Sequence, residues 1–216
     1  HRLAINGLNI PDDNQPLNIK DCVLICNGEI YNAKQLSTYF KQLKTGNDCE
    51  IIIHLYREYG IDYTLQLLDG VFAFVLLDLK KKELFIARDT FGVRPMYMAT
   101  FLAKDHFSSR PPSWCWGFAS EMKALAPLHP PSIIVVKPGV YSSFYMAEGV
   151  WKPAHVKKAF TSKNVCIDYS LTHSNSLIRI RHTLEEAVRK RVLTTERPIA
   201  CLLSGGLDSS LIAALV

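Results

Sequence analysis

The end of the chain places a glycine-rich turn between two apolar segments. Residues 198–203 predict a buried β-strand, residues 211–216 predict a helix, and Ser204–Ser210 form the turn between them. Gly205 and Gly206 lack a Cβ, so backbone N–H groups in this turn can approach an anion closely. The start of the helix adds the positive end of its dipole. The stretch therefore predicts the opening of an α/β unit that cradles a phosphate group.

The side chains of this turn add further polar groups. Ser204, Ser209 and Ser210 offer hydroxyls, and Asp208 offers a carboxylate that is a candidate Mg²⁺ ligand. The turn is not a Walker A loop, because it contains no lysine. The alternative is an ordinary strand–turn–helix joint with a serine cap. The combination of glycines, aspartate and serines between two apolar segments favours the phosphate site.

Composition indicates packed cores and excludes several classes of protein. With 216 residues, 48% of them hydrophobic, the chain can form one large domain or two modest ones. The net charge of +5 is spread along the chain, and its densest basic runs, Lys80–Lys82 and Arg189–Arg191, are typical of a hairpin tip and a solvated helix face. We therefore expect no nucleic-acid partner.

Cysteine usage and hydropathy bear on the cellular compartment. The six cysteines include no Cys-x-x-Cys pair, and no neighbouring histidine completes a metal set, so we expect free core thiols. The longest interior apolar run, Val71–Leu77, is too short to span a membrane, and no signal-peptide pattern occurs. These features predict a cytoplasmic protein without a membrane partner.

Hydrophobic patterning predicts a strand-rich first part. Gly70–Asp78 is a near-continuous apolar run, as in a strand buried on both faces, and Leu84–Ala87 is its hairpin partner. Val23–Cys26 predicts a short strand that ends at Asn27-Gly28. Other predicted strands cover residues 96–100, 114–118, 133–136 and 140–146. Predicted helices cover residues 33–43, 51–59 (closed by Gly60), 62–68 and 120–125, with Asp48 and Ser120 as caps and residues 101–113 as a surface loop.

The pattern changes after about Met146. Residues 151–175 are polar and irregular and predict a linker, and Ser176–Leu193 predicts one long amphipathic helix. We therefore divide the chain into a strand-rich domain over residues 1–150, the linker, and the start of an α/β domain over residues 176–216.

A second group of residues points to amide chemistry. Asn27 and Gly28 can aim a side-chain N–H and a backbone N–H at one point, which makes an oxyanion hole for acyl transfer. Arg2 suits a carboxylate, and Glu29 and Asp48 can accept from an ammonium group. Together they would hold an amino acid and polarise its side-chain amide. Taken alone, Asn-Gly is also a common hairpin turn.

The order and spacing of several strings resemble the glutamine-dependent asparagine synthetase family. The strings are His1-Arg-Leu-Ala4, Asn27-Gly-Glu-Ile-Tyr-Asn32, Asp48-Cys-Glu50, Leu68-Asp-Gly-Val-Phe-Ala-Phe74, Ala87-Arg-Asp-Thr-Phe-Gly-Val-Arg-Pro95, Ser120-Glu-Met-Lys-Ala-Leu125 and Leu203-Ser-Gly-Gly-Leu-Asp-Ser-Ser210. The resemblance implies an α+β fold: an incomplete four-layer αββα sandwich of the N-terminal-nucleophile type, followed by the start of an α/β PP-loop domain.

The resemblance also assigns roles to residues. The implied glutamine-binding residues are Arg2, Leu3, Ala4, Ile5, Asn6, Asn27, Gly28, Glu29 and Asp48, with Asn27 and Gly28 as the oxyanion hole. The implied ATP-binding residues are Leu203, Ser204, Gly205, Gly206, Leu207, Asp208, Ser209 and Ser210. Asn6-Gly7 departs from the family pattern, in which an apolar residue is followed by aspartate.

The implied reaction makes asparagine from aspartate, ATP and ammonia released from glutamine, giving AMP and pyrophosphate with Mg²⁺ assisting. The family's nucleophile is an N-terminal cysteine, expected upstream of His1, so residues 1–216 alone are expected to be inactive. A homodimer is compatible with the resemblance. Two alternatives stay open: a β-lactam synthetase-like enzyme that adenylates another carboxylate, and an inactive glutamine-binding module.

Overall fold

The structure, a computed structural model, describes residues 4–8, 13–40, 43–103, 113–159 and 173–216. The strands are β1 (Leu17–Ile19), β2 (Cys22–Ile30), β3 (Gly70–Asp78), β4 (Glu83–Arg88), β5 (Tyr97–Ala103), β6 (Ser113–Ala119), β7 (Ile133–Val135), β8 (Val140–Ala147) and β9 (Val150–Lys158). The α-helices are α1 (Ala33–Ser37), α2 (Glu50–Leu67), α3 (His173–Leu193) and α4 (Leu207–Leu215), and two short 3₁₀ helices cover Met122–Ala124 and Ala126–Leu128.

Two antiparallel sheets organise the first part of the chain. One sheet has the strand order β1-β2-β3-β4-β8-β9, and the other has the order β6-β5-β7. The larger sheet is covered on one face by α1 and α2, and the side chains of that interface include Leu24, Phe74 and Ile52. Its other face packs on the smaller sheet. Because β3 lies in the middle of this stack, its apolar run is buried on both faces, as predicted.

The layers follow the expected α+β arrangement. Helices, the larger sheet and the smaller sheet form three successive layers, and the interface between the two sheets contains Val75, Phe144 and Trp116. Within the described residues, Leu125 and Leu128 of the 3₁₀ segment lie against Gly117 on the remaining face of the smaller sheet. The fourth layer is therefore represented here by 3₁₀ turns.

Helix α2 consists of two helical stretches, as the sequence predicts. Gly60 separates them with φ +76° and ψ 173°, a conformation that glycine adopts at little cost and other residues rarely adopt. Helix α1 is shorter than predicted and ends at Ser37. The reason is local, since the hydroxyls of Ser37 and Thr38 donate to the carbonyls of Lys34 and Gln35 and compete with the helical pattern.

Two predicted caps are wrong. The N-cap of α2 is Cys49, whose N–H donates to Asn47 Oδ1, while the Asp48 carboxylate accepts from the backbone of β2. Ser120 caps no helix either, because the 3₁₀ turn starts at Met122 and the Ser120 hydroxyl accepts from Asn27. Both side chains are used for tertiary contacts instead.

Three other expectations need correction. Strand β2 does not end at Asn27-Gly28 but continues to Ile30, because residues 27–30 pair with residues 70–73 of β3. The first part of the predicted linker belongs to a strand, Val150–Lys158, which pairs with β8 along the edge of the sheet and is therefore largely polar. Residues 160–172 of the predicted linker lie outside the described residues. Residues 198–203 form no strand, because none of the described residues pairs with them.

Cysteines follow the expectation only in part. Cys22, Cys26 and Cys49 are buried, whereas Cys115 is half-buried and Cys201 is exposed. Cys166 lies outside the described residues. Among the described helices, none is long and apolar enough to cross a membrane.

Candidate functional site

Strand β2 displays Asn27 and Glu29 on one face, because side chains alternate along a strand. The Asn27 Nδ2 atom donates to Ser120 Oγ at 3.0 Å, and Ser120 directly follows β6. This bond fixes the direction of the Asn27 amide. An amide nitrogen carries two hydrogens, so one remains to donate elsewhere.

Gly28 lies at a close approach of β2 and β3. A Cβ at this position would come within 2.7 Å of Phe72 Cα, so only glycine fits. The Phe72 N–H donates to Asp89 Oδ2 at 3.2 Å, and the Phe72 C=O accepts from the Asp89 N–H at 2.9 Å. Gly28 and Phe72 are therefore a non-hydrogen-bonded pair, and the Gly28 N–H points away from β3 towards the β1 side of the sheet.

The N–H groups on either side of Gly28 at this edge are occupied. The Gln15 side chain bonds both backbone groups of Cys26. Its Oε1 accepts from the Cys26 N–H at 2.6 Å, and its Nε2 donates to the Cys26 carbonyl at 2.8 Å. Two residues beyond Gly28, the Ile30 N–H donates to Asp48 Oδ2 at 2.6 Å. The backbone positions two residues before and two residues after Gly28 are therefore both bonded to side chains on this edge.

Glu29 pairs with a residue to which the sequence analysis gave no role. Its Oε1 lies 3.2 Å from Arg94 Nη2, and the two side chains are only 15% and 23% exposed. Burial raises the pKa of Glu29, the Arg94 charge opposes that rise, and the nearby Asp48 carboxylate adds to it. Arg191 of α3 also lowers the pKa of Glu29. The site therefore holds two carboxylates close together, with Arg94 and Arg191 near Glu29.

The loop that carries Arg94 is built around a buried carboxylate. Asp89, 2% exposed, accepts from the N–H groups of Phe91, Val93 and Arg94 at 3.0–3.3 Å. Arg88, also buried, donates to the Arg94 carbonyl at 2.9 Å. Every bond from Arg88 and Asp89 goes to backbone, so this pair shapes the loop and leaves the Arg94 guanidinium to face Glu29.

The N-terminal segment contacts the start of the second part of the chain. Arg2 and Leu3 lie outside the described residues. Ala4 O accepts from Arg197 Nε at 3.1 Å, and Asn6, which is buried, accepts from the Glu196 N–H at 3.2 Å. Ile5 is half-buried.

The glycine-rich turn has the local geometry of a helix start. Gly205 has φ +83°, and Gly206 has extended φ and ψ as the N-cap of α4. Ser209 Oγ lies 2.9 Å from Ser204 Oγ and donates to Gly206 O at 3.1 Å. Asp208 lies in the first turn of α4. Leu203 and Leu207 are 64% and 83% exposed, so they present open apolar surface beside the turn.

Family comparisons match the two parts of the chain separately. A family model described as a glutamine amidotransferase domain matches residues 1–163. The chain belongs to the glutamine amidotransferase domain family. A second family model, described as asparagine synthase, matches residues 179–216.

Curated relatives match nearly the whole chain. A probable glutamine-hydrolyzing asparagine synthetase of Schizosaccharomyces pombe is 40% identical over 223 residues, which covers 99% of this chain and 36% of the relative. The asparagine synthetases of Gallus gallus and Homo sapiens are 38% and 36% identical and cover 94% and 93% of this chain. The chain spans 38% and 37% of those two proteins.

A solved structure supports the fold. The glutamine phosphoribosylpyrophosphate amidotransferase from B. subtilis, complexed with ADP and GMP, superposes with a TM-score of 0.52 at 22% identity over 69% of this chain and 32% of that chain. The amidotransferase domain thus has the stacked antiparallel sheets of that enzyme's fold.

The candidate site contains residues that sequence reasoning missed. Arg88, Asp89 and Arg94 lie within a string that carried the family resemblance, so a signal was present without a role. Ser120 also lies within such a string, where the sequence predicted only a helix cap. Gln15 gave no signal, because it reaches β2 only through a tertiary contact. Asn27, Gly28 and Glu29 are consecutive on β2, and the Asp48 carboxylate contacts the end of this strand at the Ile30 N–H.

Proposed function

We propose that the full-length protein is a glutamine-hydrolysing asparagine synthetase and that residues 4–159 supply most of its glutamine site. The observation that carries this proposal is the pair of donors at Asn27 and Gly28. One is an amide oriented by Ser120, and the other is an N–H that the β2–β3 ladder does not use. Two such donors stabilise the oxyanion that forms when a nucleophile attacks an amide carbonyl.

Each remaining residue has a role in holding glutamine. Glu29 and Asp48 accept from the α-ammonium group, and Arg2 binds the α-carboxylate. Ala4, Ile5 and Asn6 flank that contact. The nucleophile is the family's N-terminal cysteine, whose thiolate attacks the side-chain amide of glutamine and releases ammonia.

The second part of the chain accounts for ATP use. In the proposed reaction, residues 203–210 bind the phosphates of ATP at the start of α4, where backbone N–H groups and the helix dipole favour anions. Aspartate is activated as its adenylate, and ammonia displaces AMP to give asparagine. The positive φ of Gly205 supports a turn that closely follows a bound anion.

Asp208 is our candidate Mg²⁺ ligand. The described residues contain no group of three acidic, histidine or cysteine side chains that would hold a metal by themselves. A single carboxylate still fits Mg²⁺, because this ion commonly uses one or two carboxylates together with substrate phosphates and water. Bound there, Mg²⁺ would neutralise phosphate charge.

Domain limits form part of the proposal. Since β9 extends to Lys158 and α3 begins at His173, we propose an amidotransferase domain that ends near residue 159, a linker that begins at residue 160, and a synthetase domain that opens with α3. This moves the start of the linker from residue 151.

The experiment compares two nitrogen sources in the full-length protein. Asn27→Ala should lower the kcat for glutamine-dependent asparagine formation by about 10²–10³-fold, because one oxyanion donor is lost. Synthesis from added ammonia should be unchanged. Asparagine and pyrophosphate are measured with aspartate and, in parallel, with other carboxylate substrates.

Asn18→Ala is the matched control, since Asn18 is exposed and its amide bonds only the nearby Pro16 carbonyl. Pyrophosphate release with another carboxylate but not with aspartate would support a β-lactam synthetase-like enzyme. Glutamine binding without turnover would support an inactive binding module. Either result would contradict the proposed synthetase.

A further inference from the structure

We propose that Arg94 is a positioning residue for glutamine, because its guanidinium holds the Glu29 carboxylate in the place where it receives the substrate's α-ammonium group. The inference rests on the proposed function. It assigns to Arg94 a role that acts through Glu29 and involves no contact with the reacting amide.

The first argument is the rigidity of the loop that carries Arg94. Asp89 accepts from the Arg94 N–H at 3.3 Å, and Arg88 donates to the Arg94 carbonyl at 2.9 Å. Both backbone groups of Arg94 are therefore fixed by buried charged side chains. These bonds fix the backbone from which the Arg94 side chain extends, and the planar guanidinium fork loses less entropy per hydrogen bond formed than a flexible ammonium would.

The second argument is the shape of the pairing. Among the described residues, Arg94 makes one hydrogen bond to Glu29, from Nη2 to Oε1 at 3.2 Å. Oε2 of Glu29 accepts no hydrogen bond from Arg94. A carboxylate held at one oxygen keeps acceptor capacity for an ammonium group at the other.

The third argument is charge. Burial and the Asp48 carboxylate both disfavour a negative charge on Glu29, whereas Arg94 and, from α3, Arg191 favour it. Arg94 is the largest favourable contributor. An ammonium group binds the ionised carboxylate, so removing Arg94 weakens glutamine binding twice: Glu29 loses its orientation, and less of it is ionised.

The test uses Arg94→Gln in the full-length protein. We expect the KM for glutamine to rise about ten-fold at pH 7 with little change in kcat, because the lost contact acts on substrate binding. Ammonia-dependent synthesis should be unaffected. Arg94→Lys keeps the positive charge and should restore part of the glutamine affinity.

The pH dependence of kcat/KM for glutamine distinguishes this role from a purely structural one, because loss of a structural contact alone would not shift it. Without Arg94 the pKa of Glu29 rises further, so the acidic limb of kcat/KM for glutamine should shift to higher pH in Arg94→Gln. Asp48, Arg191 and Tyr31 also lie near Glu29 and are unchanged in this variant. Arg181→Gln removes an exposed arginine–glutamate pair on α3 and serves as the control, with no change expected.

A double mutant tests whether Arg94 acts through Glu29. In a Glu29→Gln background, Arg94→Gln should produce no further rise in KM, because the carboxylate it positions is gone. An equal rise in that background, or an unchanged KM and pH profile in the single variant, would overturn the inference while leaving the proposed function intact. Failure of the wild-type protein to use glutamine would overturn both.

Discussion

At the scale of single residues, buried charge is confined to a few well-bonded side chains. Glu50, at the start of α2, is 0% exposed and accepts from the N–H groups of Lys44 and Thr45 at 2.6 and 2.5 Å. It also accepts from the Thr45 hydroxyl and lies 2.8 Å from His54 Nε2. Burial would raise the pKa of Glu50, but these hydrogen bonds outweigh it and lower the pKa below 4.5. Glu50 thus ties the preceding loop to the helix.

Glu50→Gln should lower the free energy of unfolding at pH 7 by about 2–3 kcal/mol, because an amide nitrogen would then face buried N–H donors. A group with a lowered pKa stabilises the fold above its ordinary pKa. The wild-type advantage over Glu50→Gln should therefore be complete at neutral pH and shrink as the pH falls below 4.5. Urea unfolding followed by tryptophan fluorescence measures it. Glu58→Gln, on the exposed side of the same helix, is the control, and an equal loss in both variants would contradict the argument.

At the scale of elements, the close approach of β2 and β3 depends on one glycine in each strand. Gly28 faces Phe72, and Gly70 faces Ile30. A Cβ on either glycine would collide with the backbone of the other strand. The close approach sets the position of Asn27 and Glu29 relative to β3, so the site depends on this strand pair as a whole.

Gly28→Ala should cost about 3 kcal/mol of stability or more, because the strands must separate to admit the methyl group. Gly149→Ala, in the β8–β9 turn, should cost only about 1 kcal/mol. Its φ of +77° disfavours alanine, yet nothing lies within 4 Å of the added carbon. Thermal unfolding of both variants separates steric from conformational cost. Equal losses would mean that the β2–β3 contact is more compliant than its geometry implies.

Sequence patterning predicted the elements whose cause is local. The apolar run of β3 and the break at Gly60 follow from side-chain pattern and backbone conformation. Elements that depend on distant partners were mispredicted. Strand β9 is polar because it is an edge strand, and β2 runs past Asn27-Gly28 because β3 continues beside it. The same holds at the candidate site, where the sequence suggested Glu29 and the tertiary structure brought Arg94 to it.

At the scale of the whole molecule, the contacts between the amidotransferase domain and the following segment are mostly polar. Lys190 of α3 pairs with Asp69 at 2.7 Å, and these side chains are 37% and 51% exposed. Arg191 lies over the Tyr31 ring at 4.9 Å from its centroid. Tyr31 directly follows β2 and is two residues from Glu29, so the Arg191 contact lies beside the candidate site.

The Asp69–Lys190 pair should contribute little to stability. A double-mutant cycle with Asp69→Ala and Lys190→Ala should give a coupling free energy of about 0.2–1 kcal/mol, because exposed ion pairs are largely solvated. The coupling should decrease further at high ionic strength, since salt screens exposed charges. Thermal unfolding at low and high salt measures it. A salt-independent coupling above about 2 kcal/mol would contradict the expectation that this pair is largely solvated.

The side-chain amide of Gln15 has a consequence for how the protein behaves at high concentration. Strand β1 pairs with β2 only as far as Leu24. Further along the same edge of β2, the Gln15 amide bonds both backbone groups of Cys26, and the Asp48 carboxylate accepts from the Ile30 N–H. An incoming strand from another molecule would need several successive unpaired positions along this border. Because the available positions are interrupted, the border resists strand exchange and aggregation, while a small ligand that needs a single donor can still reach Gly28.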